Sequence, residues 1–340
     1  MATLMEKRIS EDLADMTKKL SFYVDKGRVT NEIPVKEERA IAVKPDKSLI
    51  RPLKVVKSFS GRFLAVDCST RTLKRANNWG VYLMRPCFAF VEGRSVNWGF
   101  SERMCTVIGD AYTRGDYLED FRVELESQLA LEMMHKAEFH HGNGGSRGDY
   151  VLLDGGGYFG GGKKFRVSLF DECKQLDVNL LAVSKRSPIL HDEGGRDFMA
   201  TTGTLASFPM WVYSPVKKAD KEENLYGDIS VLKLCYDSPR VFRCDIMEYL
   251  RSNDIVELLS PLTFVSEDPR CLGYPIPLWL AHDFSAPANA MLLHRLDEIE
   301  KILHEADLLD ILRSEELASN FPDVLHGAKN AFDLEWVERV

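Results

Sequence analysis

Asp67 and Asp154 share a local setting. Four apolar residues lead into each, 63–66 before the first and 150–153 before the second, and small residues follow both. Apolar runs of that length outline buried strands, so both carboxylates are expected at strand mouths. Side by side in one sheet they would aim oxygen ligands at a single point, as a hard divalent cation requires. Aspartate is also common in turns, and as turn residues the two acids would carry no chemistry.

A third acid has several candidates. Between residues 116 and 137 the apolar period becomes helical, with Leu118, Phe121, Leu125, Leu129 and Met133 forming one stripe. Steps of about 100° put Glu124 and Glu126 on opposite shoulders of that stripe and Glu132 close to its centre. A shoulder glutamate can reach the rim of a sheet while its helix stays packed. The ordinary alternative is a solvated surface charge, and periodicity does not choose among the three.

Other residues carry weaker signals. His140 and His141 are adjacent in a glycine-rich loop, where neighbouring rings rarely converge on one ion. Lys185 follows an apolar run at 179–184 and could hold a phosphate as a point charge. Arg62, Arg71, Lys74 and Arg75 lie close to Asp67 and could grip a nucleic-acid backbone, although exposed basic residues are ordinary. Read alone, Tyr274 and His282 are packed core residues.

One motif competes with a metal centre. Gly157 to Lys163 fits Gly-x-x-x-x-Gly-Lys between a strand and a candidate helix, the outline of a phosphate-binding loop. Yet Lys164 stands where a hydroxyl should meet magnesium, and Asp154 would add negative charge beside the phosphates. Six glycines in the eight positions 155–162 match such patterns easily by chance. A flexible rim loop is the simpler expectation.

The elements that must position these residues are expected as follows. A charged helical segment spans 3–25, and 26–57 is punctuated by Pro34, Pro45 and Pro52. After the Asp67 strand, short runs at 79–84, 86–92 and 94–98 read as antiparallel hairpins. A helix at 165–175 precedes a buried strand at 179–184; further strands are expected at 209–216, 228–235 and 240–245. Helices follow at 247–259, 277–284 and 286–312. Strands first, mixed units next and helices last predict an α/β layer fold, a mixed sheet flanked by helices.

Totals narrow the class. With 340 residues, 45% hydrophobic and 28% charged, the chain can bury a substantial core. Its seven cysteines are scattered and include no Cys-x-x-Cys pair, which predicts reduced thiols and a cytoplasmic protein. No apolar run is long enough to cross a membrane, and the first residues lack a leader's apolar region. A net charge of -8 argues against broad non-specific nucleic-acid binding but leaves room for a local basic channel.

Taken in order, the Asp67 stretch, the glutamate-bearing helix, Leu-Leu-Asp154-Gly155, Gly273-Tyr274-Pro275 and Ala281-His282 resemble the NurA family of nucleases. The likeness spans about residues 63–303. It implies an RNase H-like fold with an N-terminal helical arm (1–57), a NurA-type nuclease domain (58–304) and a helical C-terminal extension (305–340). It also implies a metal set of Asp67, Glu126, Asp154 and His282 for Mn²⁺ or Mg²⁺, with Tyr274 completing the active site. Glu126 matches the family's helix glutamate because removing the 140–148 loop restores the usual separation from the second aspartate. Arg71, Lys185 and Tyr274 are the residues expected on DNA.

The activity implied is 5′ to 3′ exonuclease and single-strand endonuclease action in DNA end processing. The partners implied are a HerA-type hexameric ATPase and a second copy of the chain. Two departures stand out: Cys68 replaces the usual glycine after the first aspartate, and three glycines follow Asp154. The competing functions are a silent DNA-end or ATPase-binding adaptor and a phosphate-loop nucleotide binder.

Overall fold

The computed structural model describes residues 2–26, 41–139, 148–159, 164–187, 189–193 and 196–325. His140, His141 and residues 160–163 of the phosphate-loop motif lie outside them. Helix α1 (Ala2–Lys26) is followed by the short strands β1 (Ile41–Val43) and β2 (Ile50–Pro52). Then come β3 (Arg62–Arg75), β4 (Trp79–Glu92), β5 (Ser95–Phe100), β6 (Arg103–Ile108) and α2 (Ala111–Lys136). The middle of the chain alternates: β7 (Tyr150–Asp154), α3 (Lys164–Gln175), β8 (Asn179–Ser184), β9 (Leu190–Asp192) and α4 (Phe198–Leu205). Strands β10 (Trp211–Lys217), β11 (Gly227–Lys233) and β12 (Phe242–Met247) lead into α5 (Ile255–Leu259), α6 (Pro261–Phe264), α7 (Ile276–Ser285), α8 (Asn289–Glu305) and α9 (Leu309–Leu325).

Ten strands form one mixed sheet in the order β2-β10-β11-β12-β8-β7-β3-β4-β5, with β6 pairing β4. Its centre is parallel: Phe63 to Val66 of β3 pair with Tyr150 to Leu153 of β7, and β7 pairs in parallel with β8. These central strands are apolar on both faces because helices cover both. Strand alternation assigns the helices: Cys68 packs with Leu125 of α2, whereas Asp67 and Ser69 bond to α7. Leu64, Val66, Val151 and Leu153 are at most 2% exposed. Each such side chain contributes about 1.5–3 kcal/mol of transfer free energy.

The first strand is longer than the apolar run predicts. β3 continues eight residues past Asp67 and pairs antiparallel with β4, itself one fourteen-residue strand and not two short runs. Asp67 therefore sits in mid-strand. What ends beside it is the neighbour: the last β3–β7 pair is Val66 with Leu153, which sets Asp67 level with Asp154 at the sheet's open seam. The strand persists through Thr70 and Thr72, β-branched residues that suit a sheet although they read as polar in sequence.

Other differences have local causes. The expected helix at 247–259 is the end of β12, a 3₁₀ turn and the five-residue α5, whose start Asp254 caps by accepting from the Val256 and Glu257 amides. The helix expected over 286–312 is broken at Asp307, whose φ of 57° is left-handed. α8 and α9 then fold back against α1. Ile9, Met16 and Leu20 of α1, Leu73, Trp79, Val81 and Leu83 of the β3–β4 pair, and Leu292, Ile299, Leu303 and Leu312 make a second core. No helix among the described residues is long and apolar enough to cross a membrane.

Candidate metal centre

Asp154 closes β7, and Gly155, with φ of 121°, turns the chain away in a conformation L residues rarely adopt. The turn leaves the Asp154 carboxylate at the seam, where its Oδ1 accepts from the Tyr274 hydroxyl at 3.2 Å and its Oδ2 meets Lys185 Nζ at 2.8 Å. Asp67 Oδ2 lies 2.7 Å from His282 Nδ1, and its Oδ1 accepts the Cys68 amide at 2.8 Å. One oxygen from each aspartate and one ring nitrogen of His282 all lie within 4.8 Å of one another. Among the described residues these three are the only such group.

Three elements build this convergence. β3 and β7 carry the acids in parallel register, and α7 lays His282 over them while Tyr274 fills the approach to the same helix. The histidine ring is about half exposed, Asp154 roughly a quarter and Asp67 about a tenth, so the group opens to solvent on one side.

Electrostatics keep Asp67 charged. Burial opposes its ionisation, but the His282 hydrogen bond and charge, the Cys68 amide and nearby Arg122 outweigh it and hold the carboxyl below its ordinary range. Tyr274 shows the reverse: burial and then the Asp154 charge push its phenol well above the usual value, so it remains a neutral donor. At 3% exposure its ring presents little surface to solvent.

The helix glutamates fall out differently from the sequence pattern. The buried residues of α2 are Arg114, Val123, Leu125, Glu126, Ser127, Ala130 and Met134, so the packed face includes Leu125 of the predicted stripe, with Leu118, Phe121, Leu129 and Met133 partly buried beside it, and widens toward Glu126. Small Ser127 and Ala130 allow the close approach to the sheet. Glu132 lies on the outer side with Lys136 at 2.5 Å, and Glu124 pairs with Gln128 at 2.9 Å. Glu126 is 1% exposed and does not join the aspartates and His282. Its Oε1 accepts from Arg122 Nη1 at 2.7 Å, and its Oε2 is paired with Arg166 Nη2 of α3. Burial, then partly opposed by Arg166 and Arg122, leaves the Glu126 carboxyl above its ordinary range, with the charges of Asp67 and Asp154 adding to the rise.

The basic residues near Asp67 are mostly structural. Arg71 is 8% exposed and donates to the Thr70 carbonyl at 3.2 Å. Lys74 is buried between Glu300 and Glu316, and Arg62 clasps Asp149 and the Ala137 carbonyl. Lys185, about two-fifths exposed, lies 5.4 Å from the Tyr274 ring centre and is the cation that reaches the seam.

Sequence reasoning passed over one supporting pair. Asp245 of β12, fully buried, accepts from Arg243 through both oxygens and from the Gly157 amide at 2.7 Å, while Arg243 Nη1 donates to Ser187 at 3.0 Å. The pair thereby ties down the segments that follow Asp154 and Lys185. A Cβ on Gly157 would lie 3.1 Å from that of Asp245, so the close approach needs glycine. The legible signal was two charges inside the apolar run of β12. This use of the Gly157 amide also removes a donor that a phosphate loop would need.

A mixed sheet covered by helices on both faces, with two acids level across its parallel seam, is an RNase H-like α/β fold of the NurA type. The chain is similar to the crystal structure of the NurA nuclease from Sulfolobus solfataricus, with a TM-score of 0.56 and 15% identity over 90% of this chain and 98% of that one. A second NurA crystal structure aligns with a TM-score of 0.53 and 10% identity, covering 76% of this chain and 92% of the other. Neither a family model nor a curated protein matches the sequence.

Proposed function

We propose that this protein is a metal-dependent deoxyribonuclease. The observation that carries the reading is the convergence of Asp67, Asp154 and His282 from β3, β7 and α7. It occurs in a fold shared with a protein described as a nuclease. Two carboxylates and an imidazole form a hard-to-borderline donor set that suits Mn²⁺ and tolerates Mg²⁺. When bound, the ion supplies Lewis-acid stabilisation of the charge that develops on a phosphodiester.

The chain's own groups divide the remaining work. Asp67 is held ionised by its His282 and Cys68 contacts, ready to act as a ligand without first losing a proton. His282 Nδ1, 2.7 Å from Asp67 Oδ2, brings the imidazole beside the two carboxylates, where it would serve as the nitrogen ligand. Tyr274 orients Asp154 as a neutral donor. Lys185 is the counter-ion of Asp154 on a flexible side chain; were a divalent cation held on Asp154, the ammonium would be available to a DNA phosphate.

The family resemblance extends the proposal to 5′ to 3′ exonuclease and single-strand endonuclease action in a cytoplasmic, homodimeric enzyme that processes DNA ends beside a HerA-type ATPase. The test is digestion of end-labelled single- and double-stranded DNA by the full chain with Mn²⁺, Mg²⁺ or chelator, against Asp67→Asn. Metal-dependent products from the wild type alone are expected. Equal products from both proteins would remove the nuclease reading.

A further inference from the structure

We propose that single-stranded DNA reaches the aspartates along one rim of the sheet, with its phosphates on Lys185, Arg186, Lys233 and Arg240 and its unpaired bases stacked on Tyr236 and Phe208. The inference rests on the nuclease reading above and adds to it the path of the substrate strand.

The sheet is stepped at the seam. β3 and β4 run on past Asp67, and their far ends are packed under α1, α8 and α9, so that side is a wall. β7 stops level with Asp67, and the strands beyond it all turn at the same height. β8 ends at Ser184, opposite Arg243 near the start of β12. β11 ends where β12 begins, with Leu232 opposite Phe242, and β10 begins at Trp211, opposite Lys233. A polymer drawn to Asp67 and Asp154 therefore finds its floor on the side of β8, β12, β11 and β10.

That floor carries cations and flat rings. Lys185 and Arg186 follow β8, Lys233 closes β11, Tyr236 and Arg240 lie in the 234–241 turn between β11 and β12, and Phe208 precedes β10. Arg186 and Arg240 are exposed and Lys233 is partly so. Among the described residues none of these three makes an ion pair, unlike Arg62 and Lys74, which are bound to acids. Asp237 is the single acid in the turn. Tyr236 is 68% exposed and Phe208 41%. Aromatic rings left in water beside unpaired cations suit a single strand, whose phosphates meet the cations while each base offers a face to a ring. From β7 to β10 is four strand spacings, about 19 Å, the length of about five stacked nucleotides.

The experiment is fluorescence anisotropy of a short labelled oligonucleotide of mixed sequence bound by the full-length chain, with chelator present and salt varied. The double variant Arg186→Gln/Arg240→Gln should weaken binding about tenfold and lower the slope of log affinity against log salt by about 1.4, the share of two phosphate contacts on a single strand. Tyr236→Ala should weaken the single strand about tenfold at an unchanged salt slope and leave a duplex of the same sequence unaffected. Arg94→Gln, an equal loss of charge in the β4–β5 turn at the opposite end of the strands, should change neither affinity nor slope. A double variant no weaker than Arg94→Gln, an unchanged salt slope, or a Tyr236→Ala loss equal on duplex and single strand would overturn the rim path while leaving the nuclease reading intact. So would a wild-type chain that fails to hold the oligonucleotide without metal. Absence of metal-dependent digestion by the wild type is a separate failure, that of the reading beneath.

Discussion

Asp154 and Asp245 lie two strands apart in one sheet, and the fold treats them in opposite ways. Asp245 is closed: a rigid fork from its own strand and a backbone amide occupy its oxygens, and none of its surface reaches water. Asp154 is open: a phenol and a half-free lysine touch it, and a quarter of the side chain is exposed. A carboxylate whose partners can leave is available for chemistry, whereas a saturated one is a fixture. The two are coupled, because Asp245 fixes the third residue after Asp154.

The strongest challenge to this contrast removes an open acid. Asp67→Asn should lower metal-dependent cleavage by about ten-thousandfold, on the order of 5.5 kcal/mol of transition-state stabilisation, with little change in a urea unfolding curve. Unfolding of the variant at markedly lower urea would place Asp67 with the fixtures. The closed acid should behave in reverse. Asp245→Ala leaves Arg243 buried without its partner and should cost about 3–5 kcal/mol of stability, read as a lower urea midpoint.

Smaller changes sharpen the boundary. Tyr274→Phe deletes one donor shared by Asp154 and the Val183 carbonyl, for a loss of about 1 kcal/mol in urea unfolding. Smallest is the rim pair of Asp228 and Arg251. Burial opposes ionisation of Asp228, but hydrogen bonds from Arg251 and the Ala219 amide hold its carboxyl below the ordinary range. Its folded-state pKa is depressed, so the stabilisation is present above the unfolded value near pH 4 and disappears as pH falls through the lower native one. With Arg251 half exposed, Arg251→Ala should cost under about 1 kcal/mol at pH 7 and nothing once Asp228 is protonated, as unfolding curves at several pH values will show.

Much of the sheet was legible because its centre obeys a simple rule: strands covered on both faces read as unbroken apolar runs. Tyr150 to Leu153 of β7 and Leu180 to Val183 of β8 follow it, and the acids that end or interrupt such runs stand out. The pairing partner was not legible. β3 outlives its apolar segment because β4 continues beside it, a non-local fact that no window around Asp67 contains. Glu126 shows the same limit. Arg122, four residues earlier, was within reach of helical spacing, but Arg166 lies forty residues on and arrives only through packing of α3 on α2. The burial of Arg71, four strand residues beyond Asp67, was likewise not legible, because a charged residue near an acid reads as surface.

The long β3–β4 pair also has a mechanical meaning. One end is clamped in the parallel heart of the molecule, the other in the layer where α1, α8 and α9 meet, and Asp67 rides between the two clamps. It is a beam held at both ends with the reactive acid near midspan. The acid across the seam has no such second clamp: Asp154 ends its strand, and its ionic partner is the part-exposed Lys185.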